Sequence, residues 1–247
     1  MAQKTIKAVL FDLGDTLVNF GKVDRATIFM EAARTSYDYL KRAGQPVGNF
    51  RLYVWRNVLG MRAKTALSEI IGRDFDSLEV IKYSGSRQGW KLSDEQWEDV
   101  NKCWYEPLRR RGRIEVDLAE TLGKLRDAGL KLGIVSNTFV HACSLDAHLG
   151  ELGILDFFPL RIYSYQLKFR KPDKRIFLEA AKRLSVEPEE TLFVGDRINK
   201  DVKGAIRAGM VPVLKSAYTS EGKRLDEGVL KIDKIAELPE IIAGMNN

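Results

Sequence analysis

Residues 6–17 read Ile-Lys-Ala-Val-Leu-Phe-Asp-Leu-Gly-Asp-Thr-Leu. The first six are mainly apolar, and this short run predicts a buried strand over residues 6–11. Asp12, Gly14 and Asp15 follow at once, and such residues are typical of a turn. The strand therefore ends in a loop with two carboxylates, a pattern that indicates an open sheet with its polar groups at the strand ends.

The same pattern returns from about residue 114 onward, where short apolar runs alternate with amphipathic stretches. The runs predict strands over residues 131–135, 160–163, 191–194 and 211–214, and a weaker one over 229–232. Strands that alternate with helices are typical of an α/β fold with a doubly wound parallel sheet. One intervening helix is predicted to begin with Asp117 and Glu120 as a capping pair and to end at Gly129.

Residues 18–112 have a different pattern. The chain's four tryptophans lie here, at positions 55, 90, 97 and 104, in segments of helical rather than strand periodicity. We expect an inserted helical cap domain over residues 18–112, above an α/β core domain formed by residues 1–17 and 113–247. The tryptophans are predicted to form the core of the cap, with a ring stacked on substrate as the alternative.

Composition restricts the classes of function. The 247 residues carry a formal net charge of +6 and two cysteines without metal-ligand spacing. We expect a cytoplasmic protein with no disulfide framework and no membrane span, which binds a small anionic molecule. Nucleic acid is not an expected partner, since the one basic run, at 109–113, is interpreted as a solvated helix end. The sequence does not indicate an oligomeric state.

Every cluster of reactive side chains follows a predicted strand. In chain order the clusters are Asp12 to Asp15, Ser136-Asn137-Thr138, Lys171-Pro172, and Gly195-Asp196 with Asp201 five positions further on. The carboxyl ends of parallel strands meet at one edge of a sheet, so these groups are expected to share one crevice. Carboxylates, a hydroxyl and an ammonium group suit a divalent cation and a phosphoryl group.

The order and spacing of these clusters resemble the four motifs of the haloacid dehalogenase superfamily, with the insert in the position of that family's helical C1 cap. The resemblance implies a Mg²⁺-dependent phosphatase that acts on a small phosphorylated metabolite. Asp12 would form an aspartyl-phosphate and, with the Gly14 carbonyl, Asp196 and Asp201, would hold the metal. The resemblance makes Ser136, Asn137 and Lys171 the substrate-binding residues, and Ser136 and Lys171 also catalytic.

The first motif departs from that family pattern. Phosphatases of the family carry a second aspartate two positions after the nucleophile, which protonates the leaving group and then activates water. Here that position is Gly14, and an acid follows one place later as Asp15. Residues three apart in extended chain lie on opposite faces, so Asp15 is expected to point away unless the loop turns it back. Asp15 is the candidate replacement acid.

Two other functions remain open. A haloacid dehalogenase in the strict sense uses the same nucleophile without the second aspartate and without a metal, but its fourth motif lacks Gly195-Asp196 and Asp201. A regulatory protein that binds a phosphorylated ligand with weak or no turnover would also lack the acid. The retained Asp12, Lys171 and Asp196 favour the phosphatase.

Overall fold

The computed structural model describes residues 5–247, so the first four residues of the predicted core domain lie outside the described part. Six parallel strands form one sheet in the order β3-β2-β1-β4-β5-β6. Their bounds are β1 Ala8–Phe11, β2 Lys131–Ser136, β3 Leu160–Tyr163, β4 Thr191–Gly195, β5 Val211–Lys215 and β6 Leu230–Ile232. The chain changes direction across the sheet between β1 and β4, which is where a doubly wound sheet opens a crevice. The predicted α/β fold is confirmed.

Helices cover both faces of this sheet. On one face lie α5 Leu118–Asp127, α6 Ala142–Glu151 and α9 Leu238–Asn246; on the other lie α7 Lys174–Leu184 and α8 Lys203–Ala208. Alternation along β1 supplies both cores, since Val9 and Phe11 face the first layer while Ala8 and Leu10 face the second. The central strands are therefore buried on both sides, as their continuous apolar sequence predicts.

Four helices lie between β1 and α5 in the chain. They are α1 Arg25–Arg42, α2 Phe50–Ile71, α3 Ser77–Arg87 and α4 Asp94–Arg109. They share a hydrophobic cluster of their own, around Tyr53, Trp90 and Trp97. The two chain segments that join them to the sheet layer pair at Asn19 and Arg113. These helices fit the cap predicted for residues 18–112, and the division into two domains stays a prediction.

Two local predictions were wrong. Asp117 precedes α5, but its side chain makes no capping hydrogen bond; only the helix and its left-handed Gly129 agree with the expectation. Trp90 and Trp97 are buried as predicted, whereas Trp55 is 65% exposed on the outer side of α2. Periodicity alone did not distinguish the outer face of α2 from its inner face, because large apolar residues lie on both faces.

The basic run ends α4, as predicted. Arg109 and Arg110 pair with Glu106, and Arg111 pairs with Glu31. These arginines are therefore largely engaged with carboxylates of the same chain. Within residues 5–247, no helix combines the length and the apolar character that a membrane span requires.

Candidate active site

The strand ends bring the predicted residues together at one edge of the sheet. Asp12 follows β1, Ser136 ends β2, and Asp196 follows β4. Lys171 lies in the loop between β3 and α7. All four side chains are buried, with at most 8% of any of these residues exposed. The sheet order alone explains this convergence, since β1 lies between β2 and β4.

Lys171 links the nucleophile candidate to the fourth motif. Its Nζ lies 2.9 Å from Asp12 Oδ1 and 2.7 Å from Asp201 Oδ1. Burial on its own would lower the pKa of Lys171, but the neighbouring charges of Asp12 and Asp201 outweigh it and raise that pKa. The lysine therefore stays an ammonium group, held between two carboxylates.

Three buried carboxylates lie close together here, and two of them contact this lysine. Oxygen atoms of Asp12, Asp196 and Asp201 lie within 4.8 Å of one another. Burial, and then the nearby charge of Asp12, raise the pKa of Asp196 to about 7. Burial also raises the pKa of Asp201, although Lys171 opposes this shift. Three carboxylates against one buried ammonium leave the cluster with too much negative charge for a dry environment.

The backbone of the fourth motif is shaped around Asp201. A side chain at Gly195 would place its Cβ 2.4 Å from the Cβ of Asp201, so the position admits only glycine without rearrangement. The backbone N–H of Arg197 donates to Asp201 Oδ2 at 2.9 Å. The Gly-Asp pair and the later acid are therefore parts of one packed turn.

Sequence analysis missed the two hydroxyl groups that bind Asp196. Thr16 Oγ1 donates to Asp196 Oδ1 at 3.4 Å, and Thr219 Oγ1 donates to Asp196 Oδ2. Thr219 belongs to the polar stretch 216–220 that follows β5. The rule that located the other clusters, polar residues after a strand, would have found this stretch as well.

Asn137 holds the backbone of Lys171. Its Nδ2 donates to the Lys171 carbonyl and its Oδ1 accepts from the Lys171 N–H, both at 2.8 Å. The amide thereby ties the end of β2 to the loop that carries the lysine. Asn137 was predicted as a substrate contact, and that role stays a prediction.

The loop after Asp12 holds Asp15 in an uncommon backbone conformation. Asp15 has a left-handed backbone with φ of 61°. Its Oδ1 accepts from the Phe20 N–H at 3.1 Å, and the Tyr218 hydroxyl also bonds to it. Burial raises the pKa of Asp15 above its ordinary value. Asp15 and Asp12 are both among the residues that line one cavity, and the role of Asp15 as the replacement acid stays a prediction.

That cavity, of about 340 Å³, lies between the strand ends and the four helices of the insert. Gly14, Ser136, Lys171 and Asp201 also line its floor. The opposite wall comes mainly from α1, α2 and α4. A small molecule bound here would contact the catalytic candidates on one side and the insert on the other.

A buried ion pair connects the insert to the floor of the cavity. Asp74, between α2 and α3, accepts from Arg170 at 2.7 Å and also from the Ser164 hydroxyl. Arg170 immediately precedes Lys171, and the side chains of Asp74 and Arg170 are only 3% and 10% exposed. Ser164 also accepts from the Thr138 N–H at 2.9 Å. The position of the insert is thus coupled to the loop of the lysine.

The fold and the four clusters define a hydrolase of the haloacid dehalogenase type. The family model for haloacid dehalogenase-like hydrolases matches residues 6–209. The chain belongs to this family. The predictions of family and of hydrolase class are therefore confirmed.

Phosphatases are among its relatives. The glyceraldehyde 3-phosphate phosphatase of Methanothermobacter thermautotrophicus is 36% identical over 246 residues, which span 96% of this chain and all of that protein. The enzyme of the same name from Methanopyrus kandleri is 32% identical over 96% of this chain and 97% of its own.

Two solved structures are similar over nearly the whole chain. A HAD phosphatase from Thermococcus onnurineus is 28% identical, with a TM-score of 0.58, and the match covers 97% of this chain and 99% of that one. A 2-haloacid dehalogenase from Pseudomonas syringae pv. Tomato DC3000 is 25% identical, with a TM-score of 0.62 and the same coverage. The fold thus accommodates both chemistries.

Proposed function

We propose that this protein hydrolyses phosphoric monoesters of small metabolites, with Mg²⁺ as cofactor and Asp12 as nucleophile. The observation that carries the proposal is the cluster of Asp12, Asp196 and Asp201 around Lys171, at the floor of a cavity large enough for a small ester. The phosphatases among the relatives support the same reaction class, and their names put glyceraldehyde 3-phosphate on the list of candidate substrates.

The donor set fits a magnesium ion. Mg²⁺ prefers oxygen ligands and is usually bound by one or two carboxylates in addition to water and substrate phosphates. Asp12 and Asp196 would hold it, with the Gly14 carbonyl, and Asp201 would support the site. A bound ion would neutralise the excess buried carboxylate charge and the phosphoryl oxygens.

The side chains then have separate tasks. A carboxylate oxygen of Asp12 attacks phosphorus and forms an acyl phosphate, and water hydrolyses this intermediate in a second displacement. Lys171 pairs with Asp12 and opposes the charge that develops on the phosphoryl group. Ser136 donates to a phosphoryl oxygen. Position 14 carries no acid, and Asp15, which lines the same cavity, is the candidate replacement that Asp15→Asn tests.

Gly14 favours a second candidate, a 2-haloacid dehalogenase, which also does without an acid at this position. The similar dehalogenase structure supports it, while the carboxylate cluster opposes it because that reaction needs no metal. A ligand-binding protein with weak turnover is the third candidate. Chloride release from 2-haloacids without Mg²⁺ would support the second candidate, and phosphorylation of Asp12 without sustained phosphate release the third.

The test is a screen of phosphorylated metabolites, with Mg²⁺ and with a chelator. Wild-type protein is expected to release phosphate only with Mg²⁺, and Asp12→Asn is expected to release none. Asp94→Asn is the matched control, because Asp94 does not line the cavity and its side chain is 92% exposed, and it should retain wild-type activity. Equal phosphate release by Asp12→Asn would contradict the proposal.

A further inference from the structure

Part of the cavity wall is apolar. It is formed by half-buried side chains from both layers of the molecule: Phe20, Ile28, Phe29, Trp104, Leu108 and Phe139. Phe29, Trp104 and Phe139 rest on the core of the insert, and Phe20 and Leu108 rest on the core of the sheet layer. Half-buried apolar surface in a cavity gains free energy when a ligand removes it from water.

The uncharged polar side chains on this side of the cavity are already bonded within the protein. Thr65 Oγ1 donates to the Met61 carbonyl at 2.9 Å, and Ser68 Oγ donates to the Thr65 carbonyl at 2.9 Å. Asn101 accepts from Ser77 Oγ at 2.6 Å and donates to Ser144 Oγ at 2.8 Å. A polyol substrate needs partners for its hydroxyl groups, and these residues offer few.

Of the remaining charged groups that line the cavity, Arg25 is exposed at the start of α1, and the others lie away from the apolar wall. Asp74 is paired with Arg170, and Glu69 approaches Arg170 at 3.7 Å. Arg197 and Lys200 lie in the fourth motif, between Asp196 and Asp201 in sequence, and so at the phosphoryl end. The organic part of the ester would therefore contact the apolar wall.

Position 14 gives an independent indication. Gly14 supplies no proton to the departing oxygen, and a phenol departs as an anion far more readily than an alkyl alcohol does. We propose that the physiological substrate is an aryl phosphate monoester, whose ring packs against the apolar wall. This inference rests on the proposed phosphatase function and adds the substrate class to it.

The reaction balances without an acid. The Asp12 carboxylate forms the new bond to phosphorus, and the bond from phosphorus to the phenolic oxygen breaks with its electron pair on that oxygen. The phenolate takes its proton from solvent. Water then attacks the acyl phosphate, which returns free Asp12 and inorganic phosphate.

The experiment measures KM and kcat of the full chain, with Mg²⁺, for phenyl phosphate, benzyl phosphate, glycerol 3-phosphate and glyceraldehyde 3-phosphate. Both ring esters should have a KM at least about tenfold below that of the two polar esters, since burial of an aromatic ring supports a difference of this size. Phenyl phosphate should exceed benzyl phosphate in kcat, because only benzyl phosphate has an alkoxide leaving group.

Ile28→Ser tests the wall directly. Ile28 lines the cavity but belongs to none of the hydrophobic clusters, so the substitution should not unfold the helix. It should raise KM for both ring esters about tenfold more than KM for glycerol 3-phosphate. Met30→Ser is the matched control: Met30 is on the same helix, is 43% exposed and does not line the cavity.

A lower KM for glyceraldehyde 3-phosphate than for both ring esters would overturn the inference. The same result would still support the proposed phosphatase function. An unchanged KM of the ring esters in Ile28→Ser would also overturn it. Failure to release phosphate from any of the four esters would instead contradict the proposed function.

Discussion

Replacement of Gly14 by Asp should restore the proton donor that the first motif lacks. Gly14 does not have a left-handed backbone, and a Cβ at this position would meet only the ring of Phe20, at 3.7 Å and 3.9 Å. These are ordinary van der Waals distances, so the position accepts a Cβ without strain. The new carboxyl group would lie two residues after Asp12, the spacing of the family's acid.

The expected gain depends on the leaving group. General acid–base help is typically worth about 10²–10⁴-fold in rate. Asp15 lines the same cavity, so we expect the lower end, about 10²-fold in kcat for benzyl phosphate, or about 2.7 kcal/mol of barrier. Phenyl phosphate should gain less than tenfold, because its leaving group needs no proton.

The assay measures kcat for both esters in wild type, Gly14→Asp and Gly14→Asn. Gly14→Asn is the matched control, since it adds the same volume but no carboxyl group. No gain for benzyl phosphate in Gly14→Asp, or an equal gain in Gly14→Asn, would refute the reasoning. Asp15→Asn tests the replacement acid separately: a kcat for benzyl phosphate near that of wild type would exclude Asp15 from proton transfer.

Two further predictions concern stability. Asp74→Ala leaves the Arg170 guanidinium buried without its partner and should lower the free energy of unfolding by about 3–5 kcal/mol, as measured by urea denaturation. The double variant Asp74→Ala, Arg170→Met should recover part of this loss. A loss below about 1 kcal/mol in Asp74→Ala would contradict the prediction. Burial lowers the pKa of His148, which bonds to the Tyr105 hydroxyl. Protonation therefore favours the unfolded state, and stability should fall as the pH drops below about 6.5. Urea midpoints at pH 7 and pH 5 should differ less in His148→Gln than in wild type, and equal differences would oppose this account.

The sheet could be predicted from the sequence because its strands are buried on both faces. Such strands appear as unbroken apolar runs, and the predicted segment at 160–163 coincides with β3. The others differ by one or two residues at an end. Helical surfaces were harder to predict, since α2 has exposed apolar residues such as Trp55, Leu59 and Ile70.

The residues of the site that lie at strand ends could be predicted from the sequence. Asp12, Ser136, Lys171 and Asp196 each follow a strand, and parallel topology brings such positions together. The bonds of Thr16 and Thr219 to Asp196 could not be deduced, because they depend on how two loops pack against each other. Strand alternation could not predict the left-handed backbone of Asp15 for a similar reason, because Asp15 lies in a loop and not in a strand.

The most direct test of the account is the detection of the phosphoryl group on Asp12. Wild-type protein would be mixed with phenyl phosphate and Mg²⁺, quenched in acid during turnover, digested and analysed by mass spectrometry. The account predicts a phosphorylated peptide that contains Asp12, and its absence when a chelator replaces Mg²⁺. Steady phosphate release with no phosphoryl group on that peptide at any quench time would contradict it.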